Sequence, residues 1–159
     1  KNLLKNIKKE DFQEKNTDLF HLYQTLDLKY SNKKIIKNFH DFLSSKEFLS
    51  FISKITNTKV SKVDSSALLL KKTNYLLCHD DQLEKRKIAF IFYLTTLKKQ
   101  DGGQLSFFNL KNKNPHKIVK SFSPISNSLM LFKVSKKSFH QIDEVISNKK
   151  RITIGGWFY

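Results

Sequence analysis

The apolar residues follow two patterns, and the change between them divides the chain. From Asp11 to Leu28, the positions Phe12, Leu19, Leu22, Tyr23 and Leu26 are spaced as on one side of a helix, which predicts an amphipathic helix in the later part of that stretch. A second helix is predicted from Lys33 to Leu43. Ser44 with Glu47 three residues on has the form of a capping box, and Phe48, Leu49, Phe51, Ile52 and Ile55 lay an apolar stripe along a third helix ending near Thr56. From Val60 the runs shorten to Ser66–Leu70, Tyr75–Cys78, Ile88–Thr95, Gln104–Asn109, Ile118–Phe122, Leu129–Val134, Ser138–Val145 and Arg151–Phe158. So many short runs predict a sheet sandwich or barrel. The expected organisation is one domain over 1–159, with a mainly helical flank at 1–58 and a β core at 60–159.

Turn chemistry separates the runs, most clearly at Asp101-Gly102-Gly103, Asn114-Pro115, Ser123-Pro124 and Asn148-Lys149. All four glycines occur as the pairs Gly102-Gly103 and Gly155-Gly156, so a tight turn, bulge or close ligand approach is expected at those two places.

Composition changes this picture in three ways. With 39% hydrophobic and 13% aromatic residues, the 159-residue chain can bury a core, which excludes the compositional signature of disorder. It carries no initiator Met and is expected to be cut from something longer. Its net charge is +16, but only two of its thirty basic residues are Arg. Scattered Lys is what an AT-rich coding sequence supplies, and it also allows electrostatic attraction to an RNA-rich partner such as a ribosome. The single Cys78 cannot form an internal disulfide, which suits a reducing, cytoplasmic setting, or the nucleus in a eukaryote. No run approaches the ~20 apolar residues of a membrane span, so no membrane association is expected.

Candidate chemistry begins at Cys78-His79-Asp80-Asp81, directly after an apolar run. In extended chain, residues two apart share a face, so His79 and Asp81 offer an imidazole and a carboxylate to one ion while Asp80 turns away. A third ligand must come from His21, His40, His116 or His140. His21 and His40 fall in the helical part, and His116 in a Lys- and Asn-rich loop. His140 sits inside the strand-like Ser138–Ile142, where a polar residue needs a partner. Two His and one carboxylate form the facial triad of non-haem Fe(II) oxygenases. Such iron commonly needs a cosubstrate such as 2-oxoglutarate, whose distal carboxylate calls for a buried cation. Arg151 opens the last strand with Thr153 on the same face, a guanidinium and a hydroxyl suited to clamp a carboxylate. Tyr93 can add a phenol hydrogen bond or serve simply as sheet core.

These residues carry a resemblance. Leu76-Leu77-Cys78-His79-Asp80-Asp81, Arg86-Lys87-Ile88-Ala89-Phe90, Gly102-Gly103, Ser138-Phe139-His140-Gln141 and Arg151-Ile152-Thr153-Ile154-Gly155-Gly156-Trp157-Phe158 together resemble the 2-oxoglutarate- and Fe(II)-dependent ribosomal prolyl hydroxylases, as does the stretch from Asp18 to Leu28. The resemblance implies an α+β, mainly β fold: a double-stranded β-helix, of the jelly-roll or cupin kind, with N-terminal flanking helices. It implies Fe(II) on His79, Asp81 and His140, 2-oxoglutarate at Arg151 and Tyr93, dioxygen as oxidant, and ascorbate as a supporting reductant. The implied substrate is a prolyl residue of a small-subunit ribosomal protein. Eukaryotic relatives add a second, inactive β-helix domain and carry Tyr near Leu70. Two other readings stay open: the same chemistry on another protein or a nucleobase, and a noncatalytic basic module docking on ribosomal RNA. The mouth candidates Asp80, Glu84, Lys85, Arg86 and Gln104 do not by themselves name a substrate.

Overall fold

The computed structural model describes residues 2–83 and 85–159. Ten antiparallel strands form one strongly curled sheet: β1 (Gln13–Asn16), β2 (Phe20–Gln24), β3 (Ser66–Leu70), β4 (Tyr75–His79), β5 (Ile88–Tyr93), β6 (Leu105–Lys111), β7 (Asn114–Phe122), β8 (Leu129–Lys133), β9 (His140–Ile142) and β10 (Arg151–Phe158). The order is β7-β6-β9-β4-β2-β3-β10-β5-β8, with β1 paired to β2. Two four-stranded halves, β7-β6-β9-β4 and β3-β10-β5-β8, are thus joined through β2. That strand order is a double-stranded β-helix.

Alternation along the strands assigns side chains to two cores. Ala67 and Leu69 of β3, Ile88, Phe90 and Phe92 of β5, and Ile152, Ile154 and Phe158 of β10 face outward to the helices. There they meet Ile7, Ile36, Leu43 and Ile52 from α1 (Asn2–Ile7), α2 (Lys34–Ser44) and α3 (Lys46–Thr56). Leu68 and Leu70, Ile91, Leu105 and Ile142 face inward between the halves. The helix layer thus backs the β3-β10-β5 half, which leaves the interior free to carry a pocket.

Several local expectations are corrected. The helix expected over Asp11–Leu28 is a β-hairpin: Thr17 Oγ1 accepts from the backbone N–H of Leu19 and Phe20, closing a turn that joins β1 to β2. Of the strand residues there only Leu22 is fully buried, and pairing with β3 and β4 overrides the weak helical spacing. The short helix α1, which buries Ile7, lies before the stretch in which helices were expected. The cap of α3 is Ser45 rather than Ser44: Ser45 Oγ accepts from Phe48 N–H, whereas Ser44 bonds back to His40 carbonyl. Asn114-Pro115 begins β7 instead of breaking the chain. The turn is Asn112-Lys113, both at positive φ as a tight hairpin requires, and Pro115 is tolerated because β7 is an edge strand. The run Ser138–Val145 contributes only the three residues of β9.

Candidate active site

One pocket opens between the two halves, with about 570 Å³ of empty space continuous with solvent. Its walls are mostly apolar, among them Leu68, Leu76, Ile91, Leu105 and Ile142, and its polar groups gather at two ends.

At the first end, β4 and β9 place His79 directly opposite His140, with ring centroids 4.3 Å apart. Asp81 joins them in a way extended chain does not explain. β4 stops at His79, and Asp81 sits at φ 63°, a left-handed conformation that Asp tolerates, so the loop itself turns the carboxylate back. Its Oδ1 is 3.3 Å from His79 Nε2, and its Oδ2 is 3.5 Å from His140 Nε2. One ligand atom from each of the three lies within 4.8 Å of the others. His79 Nδ1 meets the Leu77 carbonyl at 2.8 Å and His140 Nδ1 the Ser138 carbonyl at 2.7 Å. A carbonyl only accepts, so both Nδ1 atoms carry the proton, and in the neutral rings both Nε2 lone pairs face Asp81. Ser138 Oγ donates to the Asp80 carbonyl at 2.9 Å, tying the β9 approach to the Asp81 loop.

The electrostatics agree with a site built for a cation. Burial pulls the His79 imidazole down, but its hydrogen bond to Asp81 and the Asp81 charge outweigh this and leave it raised. Burial raises Asp81, yet His79 and His140 bring it below the usual carboxylate range. His140 is lowered by burial and by the neighbouring His79 charge. Two imidazole nitrogens and a carboxylate oxygen form a donor set for a borderline divalent ion such as Fe(II), with further coordination positions left over.

At the other end, Arg151 is wholly buried. Its Nε donates to the Gly103 carbonyl at 3.0 Å and Nη1 reaches Thr153 Oγ1 at 3.5 Å, while Nη2 is buried without a partner. The guanidinium lies 5.3 Å from the Tyr93 ring centre, and the Tyr93 hydroxyl is likewise buried without a partner. Arg151 and Thr153 line the pocket; the lining does not include Tyr93. Burial pushes the guanidinium down, with Tyr93 opposing, and burial pushes the Tyr93 phenol up. A buried guanidinium with a spare N–H and no counter-ion among the described residues calls for an anionic ligand, so these residues fit a dicarboxylate cosubstrate.

Sequence reasoning left several neighbours unassigned. Gly103 takes φ +74°, and a Cβ there would stand 3.2 Å from Arg151 Cδ, so one member of the glycine pair makes room for the guanidinium. Trp157 lines the pocket and stacks under Arg86, whose guanidinium carbon is 3.5 Å from the ring centre and whose Nε is buried without a partner. Trp157 is the only Trp in the chain and follows Gly155-Gly156, a signal available in the sequence. Of the mouth candidates, Gln104 is instead buried and donates to the Lys98, Lys99 and Gly102 carbonyls, bracing the glycine turn. Asp80 accepts from Gln82 N–H, Lys85 adopts φ 62°, and Glu84 lies outside the described residues. His21 pairs with Glu14, and buried His40 bonds Ser65, both away from the triad.

Comparison with known proteins agrees with this geometry. The chain is 42% identical to prolyl 3-hydroxylase OGFOD1 of Xenopus laevis over 98% of its length and 33% identical to prolyl 3-hydroxylase sudestada1 of Drosophila melanogaster over 96%. It spans about a third of the length of these curated relatives, 32% and 30% respectively. Among solved structures, a Pseudomonas putida prolyl-4-hydroxylase superposes with a TM-score of 0.77 at 15% identity, covering 99% of this chain and 83% of that one. A Trichoplax adhaerens prolyl hydroxylase in complex with a hypoxia inducible factor peptide gives 0.75 at 15% identity, covering 99% and 74%. At that identity these two structures bear out the fold alone, the double-stranded β-helix. Residues 65–159, which hold the triad and Arg151, match the 2OG-Fe(II) oxygenase superfamily; the chain belongs to that family, whose cofactors are Fe(II), 2-oxoglutarate and dioxygen.

Proposed function

We propose that this chain is the catalytic part of a prolyl hydroxylase acting on a protein. His79, Asp81 and His140 would hold Fe(II), and Arg151 with Thr153 and Tyr93 the distal carboxylate of 2-oxoglutarate. The observation that carries this reading is the pairing of ends in one pocket: a convergent His, Asp, His set at one, and a buried guanidinium with an unused donor at the other. Prolyl specificity is supported by the names of the relatives at 33–42% identity.

Bound iron supplies the activation of dioxygen, with 2-oxoglutarate oxidised to succinate and carbon dioxide as one oxygen atom enters a substrate C–H bond. The protein's own work is positioning. Hydrogen bonds from His79 and His140 Nδ1 to the Leu77 and Ser138 carbonyls fix both rings, and the left-handed turn at Asp81 aims its carboxylate between them. Arg151 neutralises the far carboxylate of the cosubstrate, and Leu105, Ile91 and Ile142 keep water from the space between. Trp157 offers a flat apolar wall for a pyrrolidine ring, and the unpartnered Nε of Arg86 a donor for a peptide carbonyl beside it.

The finer reading follows the motif resemblance: the target is a small-subunit ribosomal protein, modified inside the cell, with ascorbate keeping the iron reduced. No helix among the described residues is long and apolar enough to cross a membrane. The test is a ribosome-free assay of a proline-containing ribosomal peptide with Fe(II), 2-oxoglutarate and dioxygen. A mass gain of about 16 Da on proline, matched by succinate, is expected only with all three present. Succinate release without modification of any prolyl peptide would overturn the prolyl assignment, and no succinate with iron bound would overturn the enzyme.

A further inference from the structure

The positive charge of this chain is not evenly scattered. Residues 1–101 hold twenty basic and twelve acidic residues, whereas residues 102–142 hold seven Lys and no Asp or Glu. These seven are Lys111, Lys113, Lys117 and Lys120 on the β6–β7 hairpin and Lys133, Lys136 and Lys137 leading from β8 toward β9. All are exposed, and none makes an ion pair among the described residues.

Strand register places this charge beside the pocket mouth. On β6, Phe107 pairs with His140, and Phe108 N–H bonds the Phe139 carbonyl; past that point β9 has ended. The hairpin therefore runs on beyond the triad end as a free arm, four to five residues or roughly 15 Å long at strand rise. Lys120 pairs with Phe107, whose ring packs against Phe132 and His140, so Lys120 stands beside the triad end, and past two shifts of register Lys111 pairs with Asn114 further out on the arm. Lys113 sits in the turn at its tip. Ser138, which anchors the Asp80 loop, follows directly on Lys136 and Lys137.

We propose that this arm, with the Lys136-Lys137 turn beside it, docks on the phosphate backbone of RNA next to the pocket mouth, so that the enzyme engages a target protein segment while that target is held on RNA. The inference rests on the protein-substrate reading above for its purpose, but not for the binding itself. Phosphate fits better than an acidic peptide added to the sheet edge. Two register irregularities interrupt the β6–β7 ladder, and Pro115 removes an N–H from the edge strand, so the regular row of backbone groups that strand addition uses is broken. Mobile Lys point charges need no such row, and their phosphate contacts are independent of sequence.

The test compares Lys111→Glu/Lys113→Glu/Lys120→Glu with Lys37→Glu/Lys46→Glu/Lys59→Glu, an equal charge change on exposed positions of the helix layer and the loop after it. Binding of a fluorescent single-stranded RNA of about 20 nucleotides is followed by anisotropy across KCl concentration. With about 0.7 of salt slope per phosphate contact, the arm variant is expected to lose about 2 from the slope of log K against log salt, and at least ~30-fold in affinity at low salt. The helix-layer variant is expected to stay within about threefold of the parent. Equal losses in both variants would reduce the arm to general charge and overturn the proposal, as would displacement of the RNA by polyglutamate at equal charge concentration. The binding assay needs neither iron nor 2-oxoglutarate. Failure of prolyl hydroxylation with arm-dependent RNA binding intact sinks the substrate reading alone, and normal peptide turnover without RNA binding sinks the arm alone.

Discussion

The two ends of the pocket solve opposite problems. The three triad side chains themselves are all partnered within the protein: the Nδ1 atoms bond carbonyls, and the Nε2 atoms and Asp81 face one another, so the orphaned donors at this end are the neighbouring Arg86 Nε and Trp157 Nε1 and not the ligating groups. At the Arg151 end, a guanidinium N–H and a phenol hydroxyl are buried with nothing to bond. The first end is self-consistent without a ligand because a shared proton can stand where a cation would. The second has no such substitute, since a guanidinium does not lose its charge. An orphaned buried donor thus points to a ligand more directly than a cluster of ligating side chains, which ordinary hydrogen bonds also explain.

The largest expected effect breaks the triad. His140→Ala should lower affinity for Mn(II), an air-stable stand-in for iron, by more than the ~100-fold typical of losing an outer hydrogen-bond partner. Calorimetry measures it, and unchanged affinity would place the metal elsewhere. Because the ring packs against Phe107 and Phe132, this substitution should also destabilise the protein, by about 1–2 kcal/mol. Arg151→Met should separate the ends. It abolishes 2-oxoglutarate binding yet leaves the ligand-free protein as stable or up to about 2 kcal/mol more so, because an apolar chain replaces an uncompensated buried charge. A fall of several kcal/mol in urea unfolding would make Arg151 a structural post. Arg151→Lys keeps the charge but loses the fork, at about 1.5–3 kcal/mol of cosubstrate affinity.

Legibility in the sequence divides along the same line. The β core was readable because strands facing two cores carry short apolar runs, and β10 is so written from Arg151 to Phe158. The β1–β2 hairpin was not, since its strands bury little and are held by pairing with β3 and β4, a long-range cause no local spacing records. His79, Asp81, His140 and Arg151 were nominated by residue type and spacing, and the fold gathers all four around one pocket. Two-residue spacing in extended chain does not by itself bring Asp81 to His79, because the shared face comes from a left-handed turn past the end of β4. Gly103 was visible only as half of a pair; its role depends on Arg151 arriving from 48 residues away.

pH sharpens the contrast at smaller scale. His79 is raised, so the ligand-free site holds its proton to higher pH than a free imidazole would. Metal must displace that proton: affinity should climb with pH, by at most about tenfold per unit per proton released, until His79 is neutral, and then level off. Binding of 2-oxoglutarate to metal-saturated protein should stay flat between about pH 6 and 8, because Arg151 and both cosubstrate carboxylates keep their charges. Parallel slopes for the two ligands would remove the distinction between the ends.

The smallest expected effect concerns Tyr93. Its hydroxyl is buried without a partner, yet the residue stands outside the pocket lining, so its value depends on whether bound cosubstrate reaches it. If it does, Tyr93→Phe should weaken 2-oxoglutarate binding by about 0.5–1.5 kcal/mol, the worth of one neutral hydrogen bond, and leave metal affinity unchanged. In ligand-free protein the same substitution removes an unsatisfied polar group and should be neutral or slightly stabilising, the sign expected for Arg151→Met and opposite to His140→Ala. A gain in ligand-free stability with unchanged cosubstrate affinity would leave Tyr93 as packing for Arg151, 5.3 Å away, and confine the carboxylate clamp to Arg151 and Thr153.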